Sequence, residues 1–566
     1  MVLSAAKKKW LIFGGAALVV AVALAITLPL TLGKNTEDGS SETIRGSSVL
    51  DEVPLIDGHN DLPGNLYRFE NDKLANFNFN SDLRLDPVWG ATTRSHTDLP
   101  RLRQGKVGGQ FWVAFVNCET QHKDAVERTM AQIDVIKRLI KKYPNDLQYA
   151  TTADAVALAI TLPLTLGKNT EDGSSETIRG SSVLDEVPLI DGHNDLPYNL
   201  YNLENNKLAN FNFNTDLKLH PVWGPTRSSH TDIPRLRQGK VGGQFWVAHA
   251  SCGAQHKDAV ELTMAQIDVI KRLIKKYPND LQYATTADEI EAAFKAGKIA
   301  SMIVVEGGHS IDDRLSVLRL YYELGVRYMT LTHSCDQPWV DASPIDDSSR
   351  TKRNLTDFGV HVVWEMNRLG MMVDISHVSA GVMHHVLDVS KAPVIFSHSS
   401  SYAIYAHHRN AKDDVLVRLK DNGGIIMVNF YSHFIAGASA TIDDVIKHIN
   451  HIRDVAGVDH VGIGGDYDGV ELQPVGLEDV SKYPDLFDKL AQSGHGYEPW
   501  SLQDLKKLAG LNLLRVMRAV EQVAAGLVTE QPYELLIPNE DIYNFNENQT
   551  CKTDFSYTPT NEPIEI

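Results

Sequence analysis

Histidine and carboxylate side chains follow several short apolar runs between residues 187 and 468. Six runs end in such groups, namely Asp191-Gly192-His193-Asn194-Asp195, Glu306-Gly307-Gly308-His309, Thr332-His333-Ser334, Asp374-Ile375-Ser376-His377, Ser397-His398-Ser399 and Gly464-Gly465-Asp466-Tyr467-Asp468. Mixed imidazole and carboxylate ligation is typical of zinc, with manganese or cobalt as substitutes. Since six runs repeat the pattern, the sequence predicts a metal centre.

The number of ligands predicts two metal ions. His193 and Asp195 lie two residues apart at one strand end, His377 and His398 come from adjacent strands, and Glu306 can bridge the two sides. Two zinc ions held in this way lower the pKa of a bridging water and polarise a carbonyl group, so no serine or cysteine nucleophile is needed. The sequence also contains no Gly-X-Ser-X-Gly elbow, P-loop or His-Glu-X-X-His motif.

Eight predicted strands must bring these groups together. They cover residues 187–191, 244–248, 300–305, 328–332, 370–375, 392–396, 424–429 and 460–464, with amphipathic segments at 257–277, 311–324, 356–369, 379–390, 413–420 and 441–455. Eight alternating units in about 300 residues are typical of an α/β fold, the (β/α)8 TIM-type barrel. Periodicity alone leaves a doubly wound sheet open. In a barrel, the C-terminal ends of the strands form the mouth that carries catalytic groups.

A long segment occurs twice. Residues 21–154 (copy one) recur as residues 155–288 (copy two), a shift of 155 − 21 = 134, with scattered substitutions such as Phe115/His249. An exon-level duplication and a gene-model error are both compatible with this pattern, whereas a solenoid needs more units. We expect copy two to enter the barrel because it runs directly into the remaining strands. Copy one has the equivalent residues His59 and Asp61. The alternative in which copy one replaces copy two in the barrel stays open, because it would cost only about 1 kcal/mol of loop-closure entropy.

The N-terminus predicts membrane attachment. Residues 10–33 are uncharged and mostly apolar and follow Lys7, Lys8 and Lys9. This run exceeds the roughly 20 residues that a membrane helix needs, and the preceding lysines favour a cytoplasmic N-terminus. We therefore expect a single-pass type II protein of the plasma membrane with an extracellular catalytic domain, or a secreted protein if the segment is a cleaved signal peptide. Sequons at Asn354 and Asn548 fit an exported glycoprotein.

The composition of the 566-residue chain is that of a soluble globular enzyme. It has 54 Lys+Arg against 72 Asp+Glu, a net charge of −18, and 43% hydrophobic residues. These values exclude a disordered or collagen-like chain, and the acidic balance argues against a nucleic-acid partner. The predicted division is a cytoplasmic tail (1–9), a transmembrane signal-anchor (10–33), copy one as an incomplete barrel start (34–154), a linker (155–183), the barrel (184–545) and a C-terminal tail (546–566).

From about residue 184 to residue 545, the sequence resembles the membrane (renal) dipeptidase family of zinc metallopeptidases, itself similar to the metal-dependent amidohydrolases. The resemblance rests on the strings Leu189-Ile190-Asp191-Gly192-His193-Asn194-Asp195-Leu196-Pro197, Val241-Gly242-Gly243-Gln244-Phe245-Trp246, Val305-Glu306-Gly307-Gly308-His309-Ser310, Leu331-Thr332-His333-Ser334-Cys335 and Val428-Asn429-Phe430-Tyr431. It implies two zinc ions per subunit. One is expected on His193, Asp195 and Glu306, and the other on Glu306, His377 and His398.

The resemblance also implies the roles of the substrate-binding residues. Glu306, His333 and Asp466 would be catalytic, with His333 stabilising the oxyanion of the substrate and Asp466 receiving its amino group or relaying protons. Arg409 would pair with the substrate carboxylate, for which a planar guanidinium is suited. Such a site selects dipeptides, including cysteinylglycine-type or leukotriene-type conjugates. His309 and Asp468 would support the ligands from behind.

The same resemblance implies the cysteine pairing. Cys252 is expected to form a disulfide with Cys335, and Cys551 is expected to link two subunits into a homodimer. A second family disulfide is missing, because Tyr405 and Gly437 stand at its positions. The duplication leaves Cys118 as an extra cysteine, either a free thiol or a competitor of Cys252.

Two other functions are compatible with the pattern. The chain could be a non-catalytic, receptor-like barrel at the cell surface, or another metal-dependent amide or lactam hydrolase. The complete set of ligand types favours an enzyme over the receptor. Arg409 and Asp466 favour a dipeptidase over other hydrolases, since they match the two free ends of a dipeptide.

Overall fold

The computed structural model describes residues 55–92, 94–121, 123–151, 179–492, 497–538 and 541. The predicted membrane segment 10–33, most of the predicted linker, Asn548 and Cys551 lie outside these ranges. Among the residues described, none of the helices combines the length and the apolar character that a bilayer span requires.

Parallel strands build a closed barrel. Copy one contributes β1 (Leu55–Asn60) and β2 (Val107–Trp112); the rest of the chain contributes β3 (Leu189–Asn194), β4 (Val241–His249), β5 (Leu281–Tyr283), β6 (Ile299–Glu306), β7 (Val326–Thr330), β8 (Met372–Asp374), β9 (Ile395–Phe396), β10 (Ile425–Val428) and β11 (Val461–Ile463). The ring runs β3-β4-β6-β7-β8-β9-β10-β11 and returns to β3. The predicted (β/α)8 barrel is therefore confirmed, with β5 as an extra strand paired to the start of β6.

Helices surround this ring. Those outside copy one are Leu196–Glu204, Ile233–Gln238, Ala259–Lys276, Ala287–Lys295, Leu315–Glu323, Asp357–Leu369, Ala380–Val389, Asp413–Asn422, Ser432–Ile435, Ile442–Ala456, Tyr483–Leu490, Leu502–Lys506 and Asn512–Gly526, the last preceded by a π-helical turn at Lys507–Leu511. Strands β3, β4 and β6 are buried along their whole length, as expected for parallel strands covered on both faces. Ile190, Phe245, Met302 and Ile425 fill part of the barrel interior.

Local signals at helix ends set where the strands begin. Helix Asp357–Leu369 starts after Thr356, whose hydroxyl accepts a hydrogen bond from the Gly359 amide. It ends at Gly370, which has a φ of 87° and so reverses the chain where a side chain would be strained. Strand β8 follows two residues later and carries the chain to the mouth of the barrel.

The described part of copy one, within residues 55–151, folds as a separate unit outside the barrel. It contains helices Leu62–Glu70, Leu99–Gln104 and Ala125–Lys142, and its two strands pair in the same register as β3 and β4. Its core is small and includes Phe79, Trp89 and Leu139. Among the described residues this sheet has two strands and is not closed into a barrel, so Ile56 is 51% exposed, whereas the equivalent Ile190 is 1% exposed. The structure thus places copy two, not copy one, in the ring.

Candidate active site

The five predicted metal ligands meet at the mouth of the barrel. His193 lies at the end of β3 with Asp195 just beyond it, Glu306 is the last residue of β6, and His377 and His398 follow β8 and β9. All five side chains are buried. Because parallel strands direct their C-terminal ends to one rim, residues up to 205 positions apart in the chain become neighbours.

Glu306 is the centre of this cluster. Its Oε1 atom lies 3.1 Å from Nε2 of His377, 3.4 Å from Nε2 of His398 and 3.6 Å from Nε2 of His193. Although burial favours the neutral acid, the neighbouring histidines hold the pKa of Glu306 well below its usual range. Glu306 is therefore an ionised carboxylate, and one of its two oxygens faces three imidazole rings.

Asp195 completes the side of the cluster next to β3. Its Oδ2 atom is 3.4 Å from Nε2 of His193. Burial disfavours a charged imidazole, but Glu306 and Asp195 outweigh it and raise the pKa of His193 to about 10. The carboxylates therefore create a potential that favours a positive charge at this nitrogen.

Hydrogen bonds behind the histidines fix which nitrogen faces the site. Ser397 donates its only hydroxyl proton to Asp374 (2.6 Å), so it can only accept from Nδ1 of His398 (2.7 Å). Nε2 of His398 therefore carries the lone pair. Similarly, Tyr328 donates to the Gly192 carbonyl (2.8 Å) and accepts from Nδ1 of His193 (3.0 Å). Such outer contacts orient imidazole ligands for a metal.

The cluster fits a divalent metal. Nε2 of His193 is buried and makes no hydrogen bond to the described residues. Three sets of potential ligand atoms each lie within 4.8 Å of one another, namely those of His193, Glu306 and His398, of His193, Asp195 and Asp466, and of His249, Glu306 and His333. This mixture of nitrogen and oxygen donors without thiolates suits zinc. The first two sets overlap the predicted ligand sets, and His377 adjoins them with Nε2 at 2.9 Å from Nε2 of His398.

His333 and Asp466, predicted to be catalytic, border the cluster. The His333 ring lies 4.7 Å from that of His377, and burial lowers the pKa of His333 well below its ordinary value. Burial raises the pKa of Asp466 well above its ordinary value. Both Asp466 and His377 have left-handed backbones, with φ of 59° and 65°. Strain of this kind at non-glycine residues often marks functional positions.

Arg409 lies behind the ligand His398. Its NH1 and NH2 groups donate to the Ser399 hydroxyl (3.1 Å) and the His398 carbonyl (3.0 Å). The side chain is buried, and its Nε makes no hydrogen bond to the described residues. A buried guanidinium with donor capacity left over can bind a carboxylate.

His249 is a site residue that the prediction did not include. It is the last residue of β4, is buried, and places Nδ1 3.2 Å from Oε2 of Glu306. A signal was present, because Phe115 occupies this position in copy one. An imidazole is therefore present at this position only in the copy that enters the barrel.

The disulfide implied by the resemblance is present and supports the site. Cys252 and Cys335 are bonded, and Sγ of Cys252 lies 3.8 Å from Nδ1 of His333. Cys118 is exposed as a free thiol. At the positions of the missing second disulfide, a side chain at Gly437 would lie 3.7 Å from the Tyr405 hydroxyl, so the two positions are neighbours.

Three further predicted residues lie outside the ligand sets. His309 bonds through Nε2 to the Ala250 carbonyl (2.7 Å), and burial lowers its pKa to about 4. The Asp468 backbone amide donates to His230 Nδ1 (3.0 Å), and burial raises the Asp468 pKa to about 7. Asn354, a predicted glycosylation site, is half-buried.

Comparisons with known proteins agree with this geometry. Residues 44–162 and 178–531 match the family described as Membrane dipeptidase (Peptidase family M19). An uncharacterized dipeptidase of Schizosaccharomyces pombe is 46% identical over 364 residues, which are 62% of this chain and 84% of the relative.

Solved structures show the same barrel. A metallopeptidase of Rhodobacter sphaeroides, liganded with a phosphinate mimic of the dipeptide L-Ala-D-Ala, is 25% identical with a TM-score of 0.50, covering 59% of this chain and 99% of that one. The probable dipeptidase PvdM of Pseudomonas aeruginosa, 19% identical with a TM-score of 0.53, shares the fold over 61% of this chain and 98% of its own. Since the matched family residues span most of the chain and every barrel strand, the chain belongs to the membrane dipeptidase family of metallopeptidases.

Proposed function

We propose that this metal-dependent dipeptidase is a dinuclear zinc enzyme that cleaves the peptide bond of free dipeptides at the cell surface. The observation that carries the proposal is the position of Glu306, whose Oε1 lies within 3.6 Å of three imidazole nitrogens while Oε2 faces a fourth. Two zinc ions bound there would polarise the scissile carbonyl and activate a bridging water as the nucleophile.

The residues around the ligands supply the selectivity for dipeptides. Arg409 would bind the substrate carboxylate, since its guanidinium is buried and retains a free donor. Asp466 would bind the substrate ammonium group as a hydrogen-bond acceptor and exchange protons with it. His333 would donate a hydrogen bond to the oxygen of the scissile carbonyl, where negative charge develops in the transition state. By binding the two charged ends of the substrate, Asp466 and Arg409 would restrict it to two residues.

The test is hydrolysis of dipeptides by the full chain. We expect cleavage of free dipeptides, including cysteinylglycine, that a chelator abolishes and zinc restores. An N-acetylated dipeptide and a dipeptide amide should be poor substrates, because each removes one of the two charges. Metal analysis should give two zinc ions per chain. Chelator-resistant cleavage would contradict the metal-dependent mechanism, and equal cleavage of the blocked peptides would contradict the roles of Arg409 and Asp466.

The topology and assembly are part of the same proposal. A type II anchor at residues 10–33 would place the barrel outside the cell, and Cys551 would link two subunits. Surface labelling of intact cells that carry an epitope after Ile566 would test the topology. Non-reducing electrophoresis of Cys551→Ser beside the unmodified chain would test the disulfide.

A further inference from the structure

Copy one is held on the outside of the barrel by a buried ion pair. Asp134, on helix Ala125–Lys142, accepts from Arg319 through both oxygens, with distances of 2.7 Å to Nε and 2.8 Å to NH2. Both side chains are buried. Arg319 lies on helix Leu315–Glu323 and also donates to Glu365 (2.9 Å), which fixes its orientation. This geometry is bidentate and specific.

Further contacts surround this pair. Three more ion pairs join the copy-one helix to the barrel unit, namely Glu127 with Arg314, Lys137 with Glu323, and Arg138 with Glu534. Met130 is buried and belongs to the same apolar cluster as the outer core of the barrel. We call the surface formed by Arg314, Arg319, Glu323 and Glu534 the receiving face. Its charges are complementary to those of the copy-one helix, and the apolar side chain of Met130 lies among the charged groups of that helix.

The barrel itself carries a second set of the same docking residues. Helix Ala259–Lys276 of copy two has Glu261, Met264, Asp268, Lys271 and Arg272 at positions 134 residues beyond those of copy one. Glu261, Asp268 and Arg272 are exposed, and Met264 and Lys271 are half-buried, since the helix packs on its own barrel through the opposite side, including Ile267 and Ile270. The side chains of Asp268 and Arg272 are 63% and 43% exposed and bond to each other at 2.7 Å.

The position of the copy-one helix suggests how two chains would meet. It packs mainly on Leu315–Glu323 and also touches Ala259–Lys276. If the Ala259–Lys276 helix of a second chain took its place, that helix would contact the first chain's Leu315–Glu323 and lie beside the first chain's own Ala259–Lys276. Each chain would then offer the same two helices to the other, which is the reciprocal pattern of a two-fold dimer.

We infer that the receiving face is a self-association surface for helix Ala259–Lys276 of a second copy of this chain, and that copy one occupies it internally. A tethered helix reaches an effective concentration of the order of millimolar, so it outcompetes a free second chain carrying the same contacts. The full chain is therefore monomeric through this face while copy one is docked. Release of copy one allows the dimer to form.

The experiment uses the full chain with Cys551→Ser, which removes the separately proposed disulfide. Asp134→Arg with Arg138→Glu places like charges against Arg319 and Glu534 and undocks copy one. Light scattering should then give a dimer in place of the 62.7 kDa monomer. The matched control, Asp268→Arg with Arg272→Glu, should remain monomeric. All four substitutions together should also leave a monomer, because neither helix can then dock.

Cross-linking identifies the surface that is used. A carbodiimide joins a lysine to a neighbouring carboxylate. The tryptic peptides of the two copies differ in length, because trypsin cleaves after Arg128 in copy one but not at the equivalent Leu262 in copy two. We expect a Lys137–Glu323 product in the parent chain and a Lys271–Glu323 product between chains in the undocked variant. A monomeric undocked variant, a dimer without the second product, or persistence of the first product in that variant would overturn the inference.

If the charge-reversal variants do not fold, milder substitutions provide the same test. Asp134→Asn should shift the parent chain toward dimer, whereas Asp268→Asn should not. Dipeptide hydrolysis reports that the barrel is intact in each variant, since none of these residues lies at its mouth. A dimer fraction that does not differ between the two asparagine variants would contradict the inference.

Discussion

Nδ1 of His249 lies 3.2 Å from Oε2 of Glu306, the carboxylate oxygen opposite to the one that faces His193, His377 and His398. Burial would lower the pKa of His249, but the adjacent Glu306 carboxylate outweighs this and the pKa is raised. The imidazole therefore holds the central carboxylate in place from the side that the other histidines do not reach.

His249→Phe should lower kcat and the affinity for metal by about 10- to 100-fold, the usual effect of removing a group that orients a ligand. Phenylalanine is a fair replacement, because copy one has Phe115 at this position. His249→Gln keeps a donor and should recover part of the loss. Steady-state kinetics with metal titration provide the measurement. Wild-type kcat and metal affinity in the phenylalanine variant would show that Glu306 needs no such support.

Arg409→Lys should lower kcat/KM for free dipeptides by about 100-fold, because an ammonium group cannot reproduce a bidentate fork. The loss should be small for dipeptide amides, which lack the carboxylate. Measuring free dipeptides and dipeptide amides with both the parent enzyme and Arg409→Lys separates a loss of carboxylate recognition from a loss of folded enzyme. An equal loss for both substrates would assign Arg409 to support of His398, whose carbonyl it already contacts.

Acid should destabilise the barrel through buried neutral histidines. His448 accepts from the Ser401 amide (3.0 Å) and donates to the Ile435 carbonyl (2.8 Å), and burial lowers its pKa to about 4. In the unfolded chain, His448 is protonated below a pH of about 6.5, whereas in the folded chain it is protonated only near pH 4. Stability is therefore lost as the pH falls through this window, by about 2 kcal/mol between pH 7 and pH 5.

Urea unfolding at pH 7 and pH 5 tests this prediction. His448→Gln preserves one donor and one acceptor but cannot titrate, so its free energy of unfolding should fall less than that of the parent chain over this interval. His230 and His309, also with pKa values lowered by burial to about 4, add to the acid sensitivity of both proteins equally. An identical pH dependence in the two proteins would contradict the assignment to His448.

The sequence predicted the barrel well, because strands buried on both faces give apolar runs that alternate with helices. Strand limits were less accurate. The predicted strand 392–396 is reduced to Ile395–Phe396, since Pro393 has no N–H for pairing. Strand β4 starts earlier than predicted, at Val241, because its glycines allow close packing; a side chain at Gly242 would lie 2.7 Å from Pro188.

The parts that the sequence did not predict depend on tertiary contacts. Tyr328 and Ser397 orient two ligands, but only the folded barrel brings them behind His193 and His398. The docking of copy one likewise depends on Asp134 and Arg319, which are 185 residues apart. Patterns of residue type identified the ligands, because ligands occupy strand ends, whereas their supporting residues occupy ordinary core positions.

The central claim is that copy two builds the active metal centre. The matched residues His193 and His59 provide a direct test, since both begin the same His-X-Asp motif and both pair with the following aspartate, at 3.4 Å and 3.3 Å. In the full chain, His193→Ala should lower kcat/KM for a free dipeptide by about a hundredfold or more, while His59→Ala should leave it unchanged. Loss of activity in His59→Ala with retention in His193→Ala would contradict the account, because copy one would then supply the working strand.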